Sequence, residues 1–149
     1  SRLETQNLKA FIIGKDKNIK YYQNLAKKLN IDNKITFTGP RVDVDDFYAI
    51  SDIFLFPTHY DPFSNVVLEA MNFENVVFTT NRNGASEILN EYYIMDSPYD
   101  LKVISSIDKL FTDKLTLQKE KKINKKKSEN FSIKVNLDKT IKVINQIEN

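Results

Sequence analysis

Along the first two-thirds of the chain, short apolar runs alternate with stretches whose apolar residues recur at helical spacing. LKAFIIG, residues 8–14, is a β-rich run stopped by glycine and predicts a strand. YYQNLAKKLN follows, with Tyr21, Leu25 and Leu29 at intervals of four, and predicts an amphipathic helix. The same reading gives a second strand at KITFTG (34–39) and a short helix around 44–51. A fully apolar third strand, DIFLFP (52–57), leads into a helix at NVVLEAMNF. VVFTT (76–80) is a fourth strand, ASEIL a short helix and YYIMD (92–96) a fifth strand. Strands this short and continuously apolar suit a parallel sheet covered on both faces. Regular β–α alternation predicts an α/β fold, a doubly wound, Rossmann-like parallel sheet with ligands at the carboxyl ends of its strands.

After residue 99 the pattern changes, with no further strand-like run. Leu101, Ile104, Ile107, Leu110 and Phe111 form one helical stripe, and Ile133, Leu137, Ile141 and Ile144 form another. The organisation expected is a Rossmann-like domain over 1–112 with extra C-terminal helices, 113–149, packed on it. Between the stripes lies KEKKINKKK, from Lys119 to Lys127, with six lysines against one glutamate. A solvated helix face is the favoured reading, and a patch for anionic lipid head groups is the sharper one. No aromatic residues interleave with these lysines to stack bases, so nucleic acid is not expected as a partner.

Composition narrows the chemistry. With 149 residues, 41% hydrophobic and 28% charged, the chain can bury the core of one ordinary domain. Cysteine is absent, which excludes disulfides and thiolate chemistry, and His59 is the single histidine. A net charge of +2 does not by itself argue for a nucleic-acid ligand. No apolar run approaches bilayer length and no signal-peptide pattern opens the chain. The opening SRLETQN reads as the tail of a helix or a linker, as in a piece of a larger protein.

Chemistry concentrates in THYDPFSNVVLEAM. Between the third strand and its helix, free backbone N–H groups at the helix start face whatever binds there. Asn65, Val66 and Val67 would supply those donors, with the small Ser64 leaving room for close approach. Glu69 is a lone carboxylate in an apolar helix. If buried it needs a partner, since an unpaired buried charge costs several kcal/mol, roughly. The two hydroxyls of a ribose would satisfy it; so would a lysine or arginine on a neighbouring element, or an outward orientation between two helices. Asp61 followed by proline also reads as a helix N-cap followed by its first residue.

An acid, seven residues, Glu, then Ala-Met after a strand ending in proline resembles the signature of family 4 retaining glycosyltransferases. YDPFSNVVLEAM is especially similar to members related to lipopolysaccharide-core glucosyltransferases. LKAFIIGKD, ITFTGPRVDVDDFYAISDIFLFPT and NRNGASEIL resemble, in order, further segments of the same family. The resemblance implies the C-terminal, nucleotide-sugar-binding half of a GT-B fold. It implies that Glu69 hydrogen-bonds the ribose and that Asp61, as catalytic acid, contacts the transferred sugar near the reaction centre. Phe63, Ser64 and Asn65 should line the sugar, and the amides of Asn65, Val66 and Val67 should hold the diphosphate. Gly39, Pro40 and Arg41 should border the base, where a guanidinium stacks on the ring; an ion pair of Arg41 with Asp43 or Asp45 is the competing reading.

Three departures stand out. Asp61 replaces the usual Glu, shortening its reach by one methylene. Glu74 and Val76 occupy the positions of a glycine and a proline after EAM, so the NFENVV turn is expected to take another shape. The basic pair that neutralises the diphosphate and the acceptor-binding N-terminal domain do not occur in this chain, so the fragment alone is expected to be inactive.

The expected whole enzyme transfers a hexose with retention from a nucleotide diphosphate sugar, by resemblance a UDP-hexose. The acceptor is a glycan or lipid-linked glycan of cell-surface polysaccharide, bound through the N-terminal domain. No resident cofactor and no metal are expected. The expected location is cytoplasmic, with peripheral contact at the inner membrane face through Lys119 to Lys127. One rival is a non-catalytic nucleotide-binding or interaction module of the same fold. A glycoside hydrolase using Asp61 and Glu69 would need both acids facing one cleft, about 5–10 Å apart, and is disfavoured because Glu69 lies more than a turn into its helix.

Overall fold

A computed structural model describes residues 3–5 and 7–147; part of the opening SRLETQN, at 1, 2 and 6, lies outside them, as do 148 and 149. Among the described residues there are five strands: β1 (Ala10–Ile13), β2 (Ile35–Gly39), β3 (Ile53–Phe56), β4 (Val76–Thr80) and β5 (Ile94–Met95). The helices are α1 (Ile19–Lys28), α2 (Val44–Ile50), α3 (Asn65–Asn72), α4 (Val103–Thr112), α5 (Lys114–Ser128) and α6 (Ile133–Ile147). All strand pairing is parallel, as the continuous apolar runs predicted. Two predicted elements shrink. ASEIL becomes a 3-10 turn over Gly84–Ile88, and Glu91–Tyr93 forms another turn that leaves β5 only two residues.

The expected single sheet is divided. β1 pairs with β2, and β3, β4 and β5 form a second ladder in that order. One helix bridges the two: Phe47 of α2 meets Phe11 of β1 edge to face at 5.3 Å, and Tyr48 meets Phe54 of β3 at 5.4 Å. The β2–α2–β3 connection thus packs α2 against both ladders.

β4 is the interior strand, buried at every position, and it feeds a core on each face. Val77 packs with Tyr48 of α2 and with Val67, Ala70 and Met71 of α3. Val76 and Phe78 point the other way, onto Ile107 and Leu110 of α4, Leu117 of α5 and Tyr93. Leu3 joins this second core, and the Asp108 carboxylate on α4 accepts the amides of Glu4 and Thr5 at 3.0–3.1 Å. Those backbone donors, Thr5 foremost, hold the Asp108 carboxyl below the usual carboxylate range.

The lysine run forms α5, and its reading as a solvated face is only half right. Lys121 pairs with Asp52 at 2.9 Å, Lys125 donates to the Asn72 carbonyl at 2.6 Å, and Lys127 donates to the Ile88 carbonyl at 2.9 Å. Asn124, buried beneath them, donates to the Asn75 carbonyl at 2.9 Å. These lysines clamp α5 to α3 and its flanking loops, while Lys119, Lys122 and Lys126 face solvent. α5 thus packs against α3 and β4. None of the described residues of α6 is buried, and Leu137, Ile141 and Ile144 stay exposed.

The NFENVV turn corrects an expectation. Glu74 adopts φ 61°, the left-handed conformation that glycine takes most easily. Its amide bonds to Met71 and that of Asn75 to Ala70, both at 3.0 Å, the paired pattern of a Schellman C-cap. The turn keeps the shape a glycine would give it and carries the strain of a β-carbon, about 1 kcal/mol. Glu74→Gly should accordingly raise the thermal midpoint by about 3 °C, measurable by calorimetry; an unchanged or lower midpoint would mean that Glu74 makes a compensating contact.

Candidate functional site

The loop from 57 to 64 leaves the carboxyl end of β3 and is fixed from below by the chain that follows β4. Asp61 pairs in a parallel bridge with Asn83; its amide donates to the Arg82 carbonyl at 3.1 Å, and its carbonyl accepts from Gly84 at 3.0 Å. Asn83 is buried and joins three segments. Its side-chain oxygen Oδ1 accepts from the Ser64 amide at 3.4 Å and the Ala85 amide at 3.0 Å, and its side-chain nitrogen Nδ2 donates to the Thr79 hydroxyl at 3.1 Å. Gly84 sits directly against Pro62, since a β-carbon there would lie 1.9 Å from the Pro62 carbonyl oxygen. Sequence reasoning saw a glycine-containing loop here but gave Asn83 no role. Its only signal was an Asn-Gly pair ahead of a helical turn, which Asn83 caps.

Asp61 is not the helix N-cap. Its carboxylate accepts the Phe63 amide at 3.1 Å and the Ser64 hydroxyl at 2.6 Å, closing an Asx-type turn. The helix begins only at Asn65, because Pro62 and Phe63 are spent on that turn, and Ser64 is its cap residue. The Ser64 hydroxyl serves Asp61 instead of the helix amides. Val67 donates to the Ser64 carbonyl at 3.2 Å, so of the three predicted anion-binding amides it is already engaged. Asn65 and Val66 stand at the first two helical positions, where no intrahelical acceptor exists.

Glu69 lies on the outer face of α3, opposite the buried Val67, Ala70 and Met71. The premise of a desolvated charge is therefore corrected: helical geometry places Glu69 about 160° around the axis from Val67 and Met71 and about 100° from Ala70. The outward alternative is the one observed. Its single polar contact among the described residues is the Tyr48 hydroxyl, which donates to it at a long 3.5 Å. That contact ties Glu69 to α2, the helix that begins just after Gly39, Pro40 and Arg41. Burial pushes the Tyr48 phenol up to about 12, with the nearby Glu69 charge adding to the shift.

Tyr93, buried and beside Glu120, is likewise raised to about 12. Both phenols keep their protons in the folded state at a pH where the unfolded chain, near 10, loses them. Their stabilising effect is complete below about pH 10 and is lost as pH rises toward 12. Tyr48→Phe should flatten this alkaline decline in denaturant midpoints measured between pH 8 and 12; an unaltered decline would assign the titration elsewhere.

Gly39 closes β2 with φ 71°, Pro40 is exposed, and Arg41 turns to Asp43 in a two-pronged ion pair, with Nε donating at 2.8 Å. The guanidinium also lies 5.7 Å from the Phe47 ring centroid. The ion-pair reading of Arg41 is thus the one realised, and it raises the guanidinium and lowers the Asp43 carboxyl. Phe63 rests against Phe131 with ring centroids 5.8 Å apart, so the C-terminal turn after α5 supports the loop. Two surface depressions, one at β5 and α4 and one at α1 and β2, share no residue with this loop. The loop and the start of α3 form an open surface. Among the described residues, no three His, Asp or Glu side chains are grouped to hold a metal ion, and no helix is long and apolar enough to cross a membrane.

The family profile described as Glycosyl transferases group 1 matches residues 1–146. The chain belongs to that family. Solved structures agree on the fold. A Rickettsia africae glycosyltransferase is 21% identical, with TM-score 0.82 over 97% of this chain and 41% of its own. Anabaena Alr3699/HepE, in complex with UDP and glucose, is 18% identical with TM-score 0.80 over 95% and 41%. WaaG, a glycosyltransferase involved in lipopolysaccharide biosynthesis, is 22% identical with TM-score 0.71 over 80% and 33%. The chain thus spans well under half the length of each of these proteins. No curated protein matches its sequence significantly. The α/β fold with parallel strands is that of the C-terminal half of a GT-B fold, as the sequence motifs implied.

Proposed function

We propose that this group 1 glycosyltransferase chain is the donor-binding part of a retaining enzyme that takes a hexose from a UDP-sugar. The observation that carries the reading is the pairing of an open α3 start with Glu69, outward-facing and one turn further along. Such a helix start favours a diphosphate, through the unengaged amides of Asn65 and Val66 and the helix dipole. A carboxylate on the same helix accepts from adjacent ribose hydroxyls. Asp61, Phe63 and Ser64 would then face the sugar, with Asp61 held in place by the bonds that also shape the turn. Stabilising the leaving diphosphate, mainly through these amides, would supply much of the rate.

Structural relatives support this reading, since HepE carries UDP and UDP-glucose in its complexes. The acceptor, a glycan or lipid-linked glycan of cell-surface polysaccharide, would bind another domain, and transfer would require it. The donor is a substrate and the reading calls for no resident cofactor. A cytoplasmic location follows from the donor pool, and a peripheral membrane contact would rest on Lys119, Lys122 and Lys126. An NFENVV turn of another shape would favour a non-catalytic module of the same fold. With Glu74 in the glycine conformation, that support falls away.

Titrating UDP, GDP, ADP and CDP into the chain while following backbone amides by NMR tests the proposal. UDP should shift Asn65, Val66 and the 39–41 segment more than the other three. Shifts confined to residues outside 39–41 and 61–69 would overturn the assignment of the site.

A further inference from the structure

The loop that carries Asp61 also displays aromatic rings for which the donor reading has no use. Tyr60 is 73% exposed and Tyr99 78%, and His59 meets Tyr99 edge to face with ring centroids 5.8 Å apart. Apolar surface scattered singly is ordinary, whereas rings grouped at one place mark a binding surface.

These rings stand on backbone that is tied down. The Thr80 hydroxyl donates to the Thr58 carbonyl at 2.8 Å, the Thr58 hydroxyl to that of Tyr60 at 3.1 Å, and the Asp61 amide to that of Arg82. On the facing turn, the Tyr99 amide donates to the Ser97 hydroxyl at 3.3 Å. The Asp100 carboxylate accepts the Asp96 amide at 3.0 Å and closes that turn. Binding on a surface already held in this way costs little further ordering.

Position narrows the ligand. β5 is the edge of the β3–β4–β5 ladder away from β3, and His59 reaches the turn that follows it. The segment assigned to the base leads into α2, which packs on β3 and touches Glu69. From there the donor would run past the start of α3 and place its hexose at Asp61. The rings come next, on the β5 side of Asp61.

We propose that His59, Tyr60 and Tyr99 form a shelf for a pyranose ring of the acceptor glycan. A pyranose has an apolar face of C–H groups that packs on an aromatic ring. Its rim of hydroxyls can bond the tyrosine hydroxyls and the imidazole. A nucleobase fits less well, because rings inclined at 64° offer no two parallel faces between which a flat base could slide. The inference rests on the donor reading of Asp61. It gives this chain a share in acceptor recognition, whose main hold would lie on another domain.

His59 is the single histidine, so its imidazole protons give unique NMR signals. Methyl α-glucoside, methyl α-galactoside and maltose are titrated well into the millimolar range, with acyclic mannitol as the control. At least one cyclic sugar should shift the imidazole together with the Tyr60 and Tyr99 ring protons, and mannitol should not. Tyr99→Ala should weaken that response about fivefold or more. Tyr92→Ala removes a ring 73% exposed at the other end of β5 and should leave the response intact. Imidazole signals that no sugar moves would overturn the shelf. So would sugar shifts confined to 61–69, which would place the sugar in the donor site, or larger His59 shifts with UDP than with any sugar. UDP read at Asn65 and Val66 keeps the two readings apart. A response to UDP but to no sugar removes the shelf alone, and a response to sugar but not to UDP removes the donor reading and leaves the sugar shelf standing.

Discussion

Replacing Gly84 with alanine should unseat the whole 61–64 loop. The added methyl would lie 1.9 Å from the Pro62 carbonyl oxygen, and that obstacle is backbone, which cannot swing aside like a side chain. The Gly84 amide is also bonded to the Asp61 carbonyl, and its neighbour Asn83 holds Ser64. Relief therefore requires the loop and the 3-10 turn to separate, breaking several of these bonds together. Overpacking of this kind costs about 3 kcal/mol, which lowers the thermal midpoint by about 10 °C. Because the loop carries Asp61, Phe63 and Ser64, any UDP response at these residues should disappear with it. Chemical denaturation measures the first effect and amide NMR the second. A variant within about 0.5 kcal/mol of the parent would show that the loop rests on Gly84 far less tightly than the structure indicates.

The second large effect concerns binding. Glu69→Ala should weaken UDP about 30-fold, the equivalent of about 2 kcal/mol for lost charge-assisted bonds to a ribose. Stability should hardly move, because Glu69 is exposed and its side chain's one polar contact among the described residues is a 3.5 Å bond from Tyr48. That separation distinguishes a ligand-binding carboxylate from a structural one. Tyr48→Phe is the control: it removes the 3.5 Å contact while leaving the carboxylate, so UDP affinity should change less than about threefold. Calorimetric titration of the three proteins decides. Unchanged affinity in Glu69→Ala, with UDP binding the parent, would remove Glu69 from the site.

Much of the architecture was legible because it depends on local pattern. Continuous apolar runs ending at Gly14, Gly39 and Pro57 announced parallel strands, and NVVLEAMNF announced the helix α3, whose buried residues Val67, Ala70 and Met71 recur at helical spacing. The same spacing, read around the helix axis, would have put Glu69 on the outer face. The error lay in treating a carboxylate flanked by apolar neighbours in sequence as flanked by them in space. The motif from Asp61 to Met71 likewise identified the family before any coordinates.

Other features depended on partners distant in sequence. Arg41 had several candidate acids, and only the turn after β2 selected Asp43. The lysines of α5 looked solvated because nothing local marks Asp52, the Asn72 carbonyl or the Ile88 carbonyl as their acceptors. Asn83 gained its importance from segments that meet only when β3 and β4 pair. Glu74 shows the reverse: sequence argued for a different turn, but the helix-end hydrogen bonds outweighed the roughly 1 kcal/mol of left-handed strain.

The sequence alone determined the kind of elements, their order and the family, since side-chain periodicity and short motifs are properties of neighbouring residues. Tertiary structure alone decided what Asp61 and Arg41 bond to, which carbonyls the lysines of α5 reach, and that the sheet divides. Each of those outcomes is a choice between competing partners, and it is the packing of β4 between its two cores that brings those partners within reach.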